Sequence, residues 1–106
     1  MTPEILALEK EADQLKEAGN FAEAIEKVNQ ALGMDENFVR GHLALAVLYY
    51  KVEEHAKAVD HAETAFKLEP DDFNAAALSV TYQRAFEATK DPIYIEKAEN
   101  ANTNLR

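Results

Sequence analysis

The 106-residue chain has no cysteine and no tryptophan, and only three glycines and three prolines. Without cysteine, neither a disulfide framework nor a thiolate metal site can form. The same absence leaves the redox compartment open, with a reducing cytoplasmic setting as the natural expectation. Scarce glycine and proline remove the main interrupters of helices, while alanine, leucine, glutamate and lysine are plentiful. That balance favours helix throughout. No apolar run approaches the roughly 20 residues needed to span a bilayer. Met1-Thr2-Pro3-Glu4 lacks the basic segment and apolar run of a secretory leader, so none is expected at this end. Basic residues are also few, 11 against 20 acids, for a formal net charge of −9. Nucleic acids and anionic membrane surfaces attract basic patches, so neither is an expected partner. The length suits one domain with a modest core that needs no metal.

What is present is a repeat. Ile5–Phe38 and Val39–Asp72 align without a gap at a spacing of 34. Ala24-Ile25 matches Ala58-Val59, Ala31-Leu32 matches Ala65-Phe66, and Met34-Asp35-Glu36 matches Leu68-Glu69-Pro70. Ala12 matches Ala46, and Leu15 matches Tyr49. Small residues at these places let two helix axes approach closely. Thr2 reads as an N-cap with Pro3 at the first helical position. Gly19 ends that helix in the left-handed region. Asn20 and Glu23 read as a capping box for the next. Asp91-Pro92 reads as a further start. The resulting map is six helices, over 3–18, 21–34, 37–52, 55–68, 72–89 and 92–104. In the fifth, Phe73, Ala76 and Val80 are expected to face inward. In the last, Ile95, Ala98 and Leu105 form a thin apolar side, opposite a polar side that includes Lys97. A solenoid needs such a polar terminal face, because its last repeat has no neighbour.

The run Gly19-Asn20-Phe21-Ala22-Glu23-Ala24-Ile25 and the ending Ala65-Phe66-Lys67-Leu68-Glu69-Pro70 resemble the tetratricopeptide repeat (TPR) family. His42, Glu53-Glu54-His55 and Ala62 depart from its pattern. The resemblance implies an all-α fold: an α-solenoid of three helix-turn-helix units in a right-handed superhelix. Its repeats would cover about 5–38, 39–72 and, in degenerate form with a capping helix, 73–106.

Catalytic and metal chemistry finds no support. His42, His55 and His61 form no i,i+4 pair on one helix, so no helical metal pair exists. His42 falls at a core position, His55 at a turn, and His61 near the outer face. Glu23–Lys27, Glu53–Lys57 and Glu63–Lys67 read as solvated ion pairs. Glu11 stands where the family places an apolar residue and reads as solvated. No phosphate loop, calcium loop or nucleophile motif is present. No enzyme activity, cofactor or metal is expected.

The family resemblance places the first helix of each repeat on a concave face. It implies a partner-binding groove of Arg40, Leu43, Val47, Tyr50, Lys51, Leu78 and Thr81. Val47 and Tyr50 lie on adjacent turns, and because aromatic anchors tend to dominate binding energy they are expected at its energetic centre. The family's carboxylate clamp for acidic chaperone tails is absent, because its five positions carry Glu9, Asp13, Ala44, Asn74 and Leu78. Residues 1–38 hold nine acids against three bases. The expected partner is therefore another protein or peptide with apolar anchors and basic flanks, bound by an adaptor or chaperone-like module. The alternative is a self-assembling scaffold, a homo-oligomer whose groove is filled by another copy.

Overall fold

A computed structural model describes residues 2–104, with side-chain environments as far as Ala101. Its helices are α1 (Pro3–Glu17), α2 (Phe21–Met34), α3 (Val39–Lys51), α4 (His55–Leu68), α5 (Asp72–Thr89) and α6 (Ile93–Asn104). They pack as three consecutive hairpins, and α2 meets α3 as α4 meets α5. The interfaces are lined by alanines: Ala12, Ala24, Ala31, Ala46, Ala58, Ala62 and Ala65 are all buried. Short side chains bring the helix axes together, and Leu45 and Leu48 of the central α3 fill what remains.

The helix ends follow local chemistry. Thr2 Oγ1 accepts the Ile5 N–H at 3.3 Å, and Pro3 opens α1. Gly19 takes φ +80°, while the Asn20 N–H reaches the Leu15 carbonyl and the Gly19 N–H reaches that of Lys16. This pair of bonds is a Schellman ending. The same pair recurs after α3, from Glu54 to Tyr49 and from Glu53 to Tyr50. There the left-handed residue is Glu53, at φ +63°. Three expectations shift. Asn20 caps α2 by position only, with no side-chain bond, so the capping box does not form. Helix α3 starts at Val39, not 37, because Asp35 accepts the N–H groups of Asn37 and Phe38 in a turn. Helix α6 starts at Ile93, one residue past Pro92, with its N–H held by the Asp91 carboxylate at 3.0 Å.

The main departure from the repeat frame lies in α5. Four residues, 35–38, link α2 to α3, but only three, 69–71, link α4 to α5. Within the short link, the buried Asn74 donates from Nδ2 to the Glu69 carbonyl at 2.8 Å. The Asn74 N–H is capped by the Asp71 carboxylate at 2.8 Å. A one-residue shift turns a helix by about 100°. Asn74, Ala75, Leu78, Thr81, Tyr82 and Ala85 therefore face the core, whereas Phe73, Ala76 and Val80 face out.

Helix α6 is turned as well. Tyr94, Ala98 and Ala101 pack against the core, while Ile95 is exposed. Lys97 faces inward, not outward, and its Nζ donates to Glu63 Oε2 at 3.3 Å. Leu105, assigned to the same apolar side, lies outside the described residues. The buried Tyr82 hydroxyl donates to the same Glu63 oxygen at 2.6 Å. Glu63 of α4 thus ties α5 and α6 together.

Glu53, at φ +63°, and Lys90, at φ +60°, are the left-handed non-glycine residues among those described. A left-handed L-residue costs roughly 1–2 kcal/mol, which glycine avoids. Glycine's larger unfolded-state entropy offsets part of that gain. Glu53→Gly is expected to raise stability by about 0.5–1 kcal/mol, and Gly19→Ala to lower it by about 1 kcal/mol. Chemical denaturation of both variants checks the pair, and a destabilised Glu53→Gly would contradict it.

Candidate binding groove

The first helices, α1, α3 and α5, form one layer. Two contacts join neighbours along it. Arg40 of α3 donates from Nε and Nη2 to the two Glu9 oxygens of α1, both at 2.7 Å. Those bonds hold the Arg40 guanidinium above its ordinary pKa. Arg84 of α5 lies over the Tyr50 ring of α3, 4.4 Å from its centroid.

Between α3 and α5 runs an apolar trough of ≈ 340 Å³. Leu43, Ala46 and Val47 form one wall, and Phe73, Ala76, Ala77 and Val80 the other. Phe73 is 72% exposed, Val80 44% and Val47 36%. Arg84 and Thr81 close one end. Beyond Arg84 opens a more polar recess of ≈ 470 Å³, lined by Tyr50, Lys51, Glu53, His55, Arg84 and Glu87.

The residues assigned to the groove from sequence fall into separate places. Leu43 and Val47 line the trough. Tyr50 and Lys51 line the polar recess, and Tyr50 is half-buried between Arg84 and an edge-on His55. Arg40 is exposed near the α1 end, engaged with Glu9. Leu78 is only 3% exposed and packs with Ala46, Val59 and Tyr82, so it is core and not groove. Thr81 is also buried; its hydroxyl donates to the Ala77 carbonyl at 2.7 Å while its side lines the trough. Reasoning from sequence missed Phe73, Ala76 and Val80, because it carried the 34-residue spacing into the third unit. The aromatic Tyr82 at the eleventh place and the small Ser79 at the eighth, counted from Asp72, were the available signal.

The histidines also depart from expectation. His42 is buried, and its Nε2 meets the Glu36 carbonyl at 2.8 Å. A carbonyl only accepts, so in the neutral ring that nitrogen carries the proton. His42 Nδ1 is then the acceptor for His61 Nδ1–H, 3.1 Å away. His61 is not on the outer face. Its ring stacks on His42 and on Tyr49, with centroids 5.3 and 5.6 Å apart. Burial, and then the neighbouring His42, depress the His61 pKa, against an opposing pull from Asp60. Among the described residues, no group of three or more potential ligands is placed to hold a metal ion. No helix there is long and apolar enough to cross a membrane. The expected i,i+4 pairs give way to others: Lys27 with Glu11, Lys57 with Glu54, and Glu63 with Lys97. Glu11 is solvated, at 49% exposure.

Comparison with known proteins follows the same lines. The family model described as tetratricopeptide repeat matches residues 15–80. Comparison with curated proteins returns no match. Among solved structures, the first TPR of Spaghetti (RPAP3), bound to the HSP90 peptide SRMEEVD, superposes with a TM-score of 0.66. It is 16% identical, with 96% of this chain and 95% of that chain covered. At that identity the likeness speaks for the fold.

The register of α5 can be checked by mutation. Leu78→Ala should cost about 2–4 kcal/mol by opening a core cavity, and Phe73→Ala less than about 0.5 kcal/mol. Similar losses in denaturant titration would reverse the assignment. A second expectation concerns pH. Folding favours neutral His61, so the unfolded chain binds more protons below its ordinary pKa. Stability should therefore fall as pH drops through about 6.5, and level off once the folded-state pKa is passed. Melting curves from about pH 7.5 to about pH 5 should show a shallower fall for His61→Leu than for the parent chain. An unchanged slope would clear His61 of that role.

Proposed function

The chain belongs to the tetratricopeptide repeat family, and we propose that it is a non-catalytic interaction module holding a segment of a partner protein in the trough between α3 and α5. The observation that carries this reading is the cluster Val47, Phe73 and Val80: three large apolar side chains, exposed together around one concavity. Phe73 is 72% exposed and packs against none of the three core clusters. Exposed apolar patches of this kind mark interaction sites, and side-chain anchors in a groove are the recurrent way helical repeats use them.

The ligand class differs from that of the RPAP3 domain. With α5 in its observed register, the five clamp positions carry Glu9, Asp13, Ala44, Phe73 and Ala77. None supplies a cationic donor. At the α1 end, Glu9, Asp13 and Glu17 favour basic residues in the partner, consistent with nine acids in residues 1–38. The proposed ligand thus has apolar anchors for the trough and basic residues toward α1. A cytoplasmic setting, expected from the lack of cysteine, belongs to the same reading.

The test uses a displayed library of short randomised peptides selected on the intact chain. Enriched peptides should share spaced apolar residues. They should bind the Phe73→Asp, Val80→Asp double variant at least about tenfold more weakly, a loss of about 1.4 kcal/mol. The melting temperature should barely move, since both side chains are exposed. Equal binding by parent and double variant would refute the groove. If light scattering instead finds an oligomer that the double variant converts to monomer, a second copy fills the trough.

A further inference from the structure

We propose that the segment bound in this trough carries a carboxylate that pairs with Arg84; the inference rests on the groove reading above and assigns the chemistry of one end of the site. Arg84 is half-buried and lies where the apolar trough meets the polar recess, lining both. Its guanidinium carbon lies over the Tyr50 ring, 4.4 Å from the centroid. It makes no ion pair or hydrogen bond among the described residues. A guanidinium has five N–H donors in a planar fork. None of those donors is used by another described residue, and such a fork takes a carboxylate with two parallel bonds. Arg40, the other arginine of this layer, spends its fork on Glu9. Among the described residues, Arg40 has an acid partner and Arg84 has none.

The surrounding charges sharpen the assignment. Lys51 and His55 line the recess with Arg84, and so do Glu53 and Glu87. Glu87 is held by the Gln83 amide at 3.3 Å, on the neighbouring turn of its own helix. Glu53 sits in the turn after α3 and is exposed. Neither acid closes on Arg84. The incoming carboxylate therefore meets Arg84 from the trough side, away from both. Val80 and Arg84 are one helical turn apart, about 5–6 Å along α5. An extended ligand rises about 3.3 Å per residue, so its carboxylate should follow the last apolar anchor by about two residues. Arg84 is not at any of the five clamp positions. The acid can be a side chain or the partner's own C-terminus, and the chemistry is the same.

The experiment offers short randomised peptides in two formats, with a free C-terminus and with a C-terminal amide. The baits are the intact parent chain, Arg84→Gln, Arg84→Lys and Phe73→Asp. Peptides enriched on the parent should carry Asp or Glu about two residues from an apolar anchor, by the strand spacing used above. If the source is the terminus, the amide format alone should lose its ligands. Binding should fall by about tenfold on Arg84→Gln and be retained in part on Arg84→Lys. Replacing the acid of a selected peptide by its amide should weaken binding to the parent by a similar factor, which holds even where a protein variant loses helicity. Enrichment that depends on Phe73 but shows no acid, or is indifferent to Arg84→Gln, would overturn this inference and leave the groove intact. Enrichment indifferent to Phe73→Asp, or none on the parent, would remove both.

Discussion

Asn74 donates a 2.8 Å hydrogen bond to the Glu69 carbonyl in the link after α4, and this bond fixes the orientation of α5. The amide is 2% exposed, so leaving its donors unmade would be costly. It draws the start of α5 inward and shortens the link to residues 69–71. The rotation that results brings Leu78 and Tyr82 into the core and turns Phe73 and Val80 outward. A link one residue longer would turn Phe73 and Val80 inward and set Leu78 and Thr81 opposite Val47 instead. The concavity is thus a consequence of loop length and one polar bond, as much as of any groove residue.

The alanine interfaces explain why polar bonds matter so much. Alanine permits close helix approach but contributes little apolar area, roughly 25 cal/mol for each Å² buried. Repeats one and two offset this with Ile5, Leu45, Leu48 and Phe38. The third unit has fewer large apolar residues, and Tyr82 and Lys97 converge on Glu63 instead. The charged acceptor strengthens the Tyr82 hydrogen bond, and burial together with that bond raises the phenol's pKa. His42 plays a comparable part at the other junction, tying the α2–α3 turn to α4 through Glu36 and His61. The second and third units each add a part-buried polar link between neighbouring helices.

Most local signals were legible in the sequence, the Asn20–Glu23 capping box excepted, and contacts between helices were not. Thr2-Pro3, Gly19 and Asp91 act through residues two to four places away, and each behaves as its chemistry suggests. The repeat spacing was legible between the first two units because their links are equal in length. The third unit failed at a single residue, since periodicity carries no information about a deletion until a second landmark is used. His42–His61 and Tyr82–Glu63 are each 19 residues apart, and Lys97–Glu63 is 34. Such pairs appear only when helices are packed. The i,i+4 pairs failed for the opposite reason. They are worth a few tenths of a kcal/mol each, and any better partner from a neighbouring helix displaces them. Lys27 turning to Glu11 on α1 is such a displacement.

The two arginine contacts along the groove layer also differ in what they leave for a ligand. The Glu9–Arg40 pair is bidentate but lies at the surface, with side-chain exposures of 28% and 55%. Exposed pairs contribute about 0–1 kcal/mol, because water screens them and ordering two long side chains is unfavourable. A basic group of a partner can therefore displace Arg40 from Glu9 at small cost, particularly if Arg40 moves back over the Phe38 ring it already borders. Arg84 has no such exchange to make. Its contact with the Tyr50 ring restricts the side chain before a ligand arrives, so less side-chain entropy is lost on pairing. One end of the groove layer is thus adjustable and acidic, and the other presents Arg84 over an aromatic ring. A segment lying across both would be bound in one chain direction.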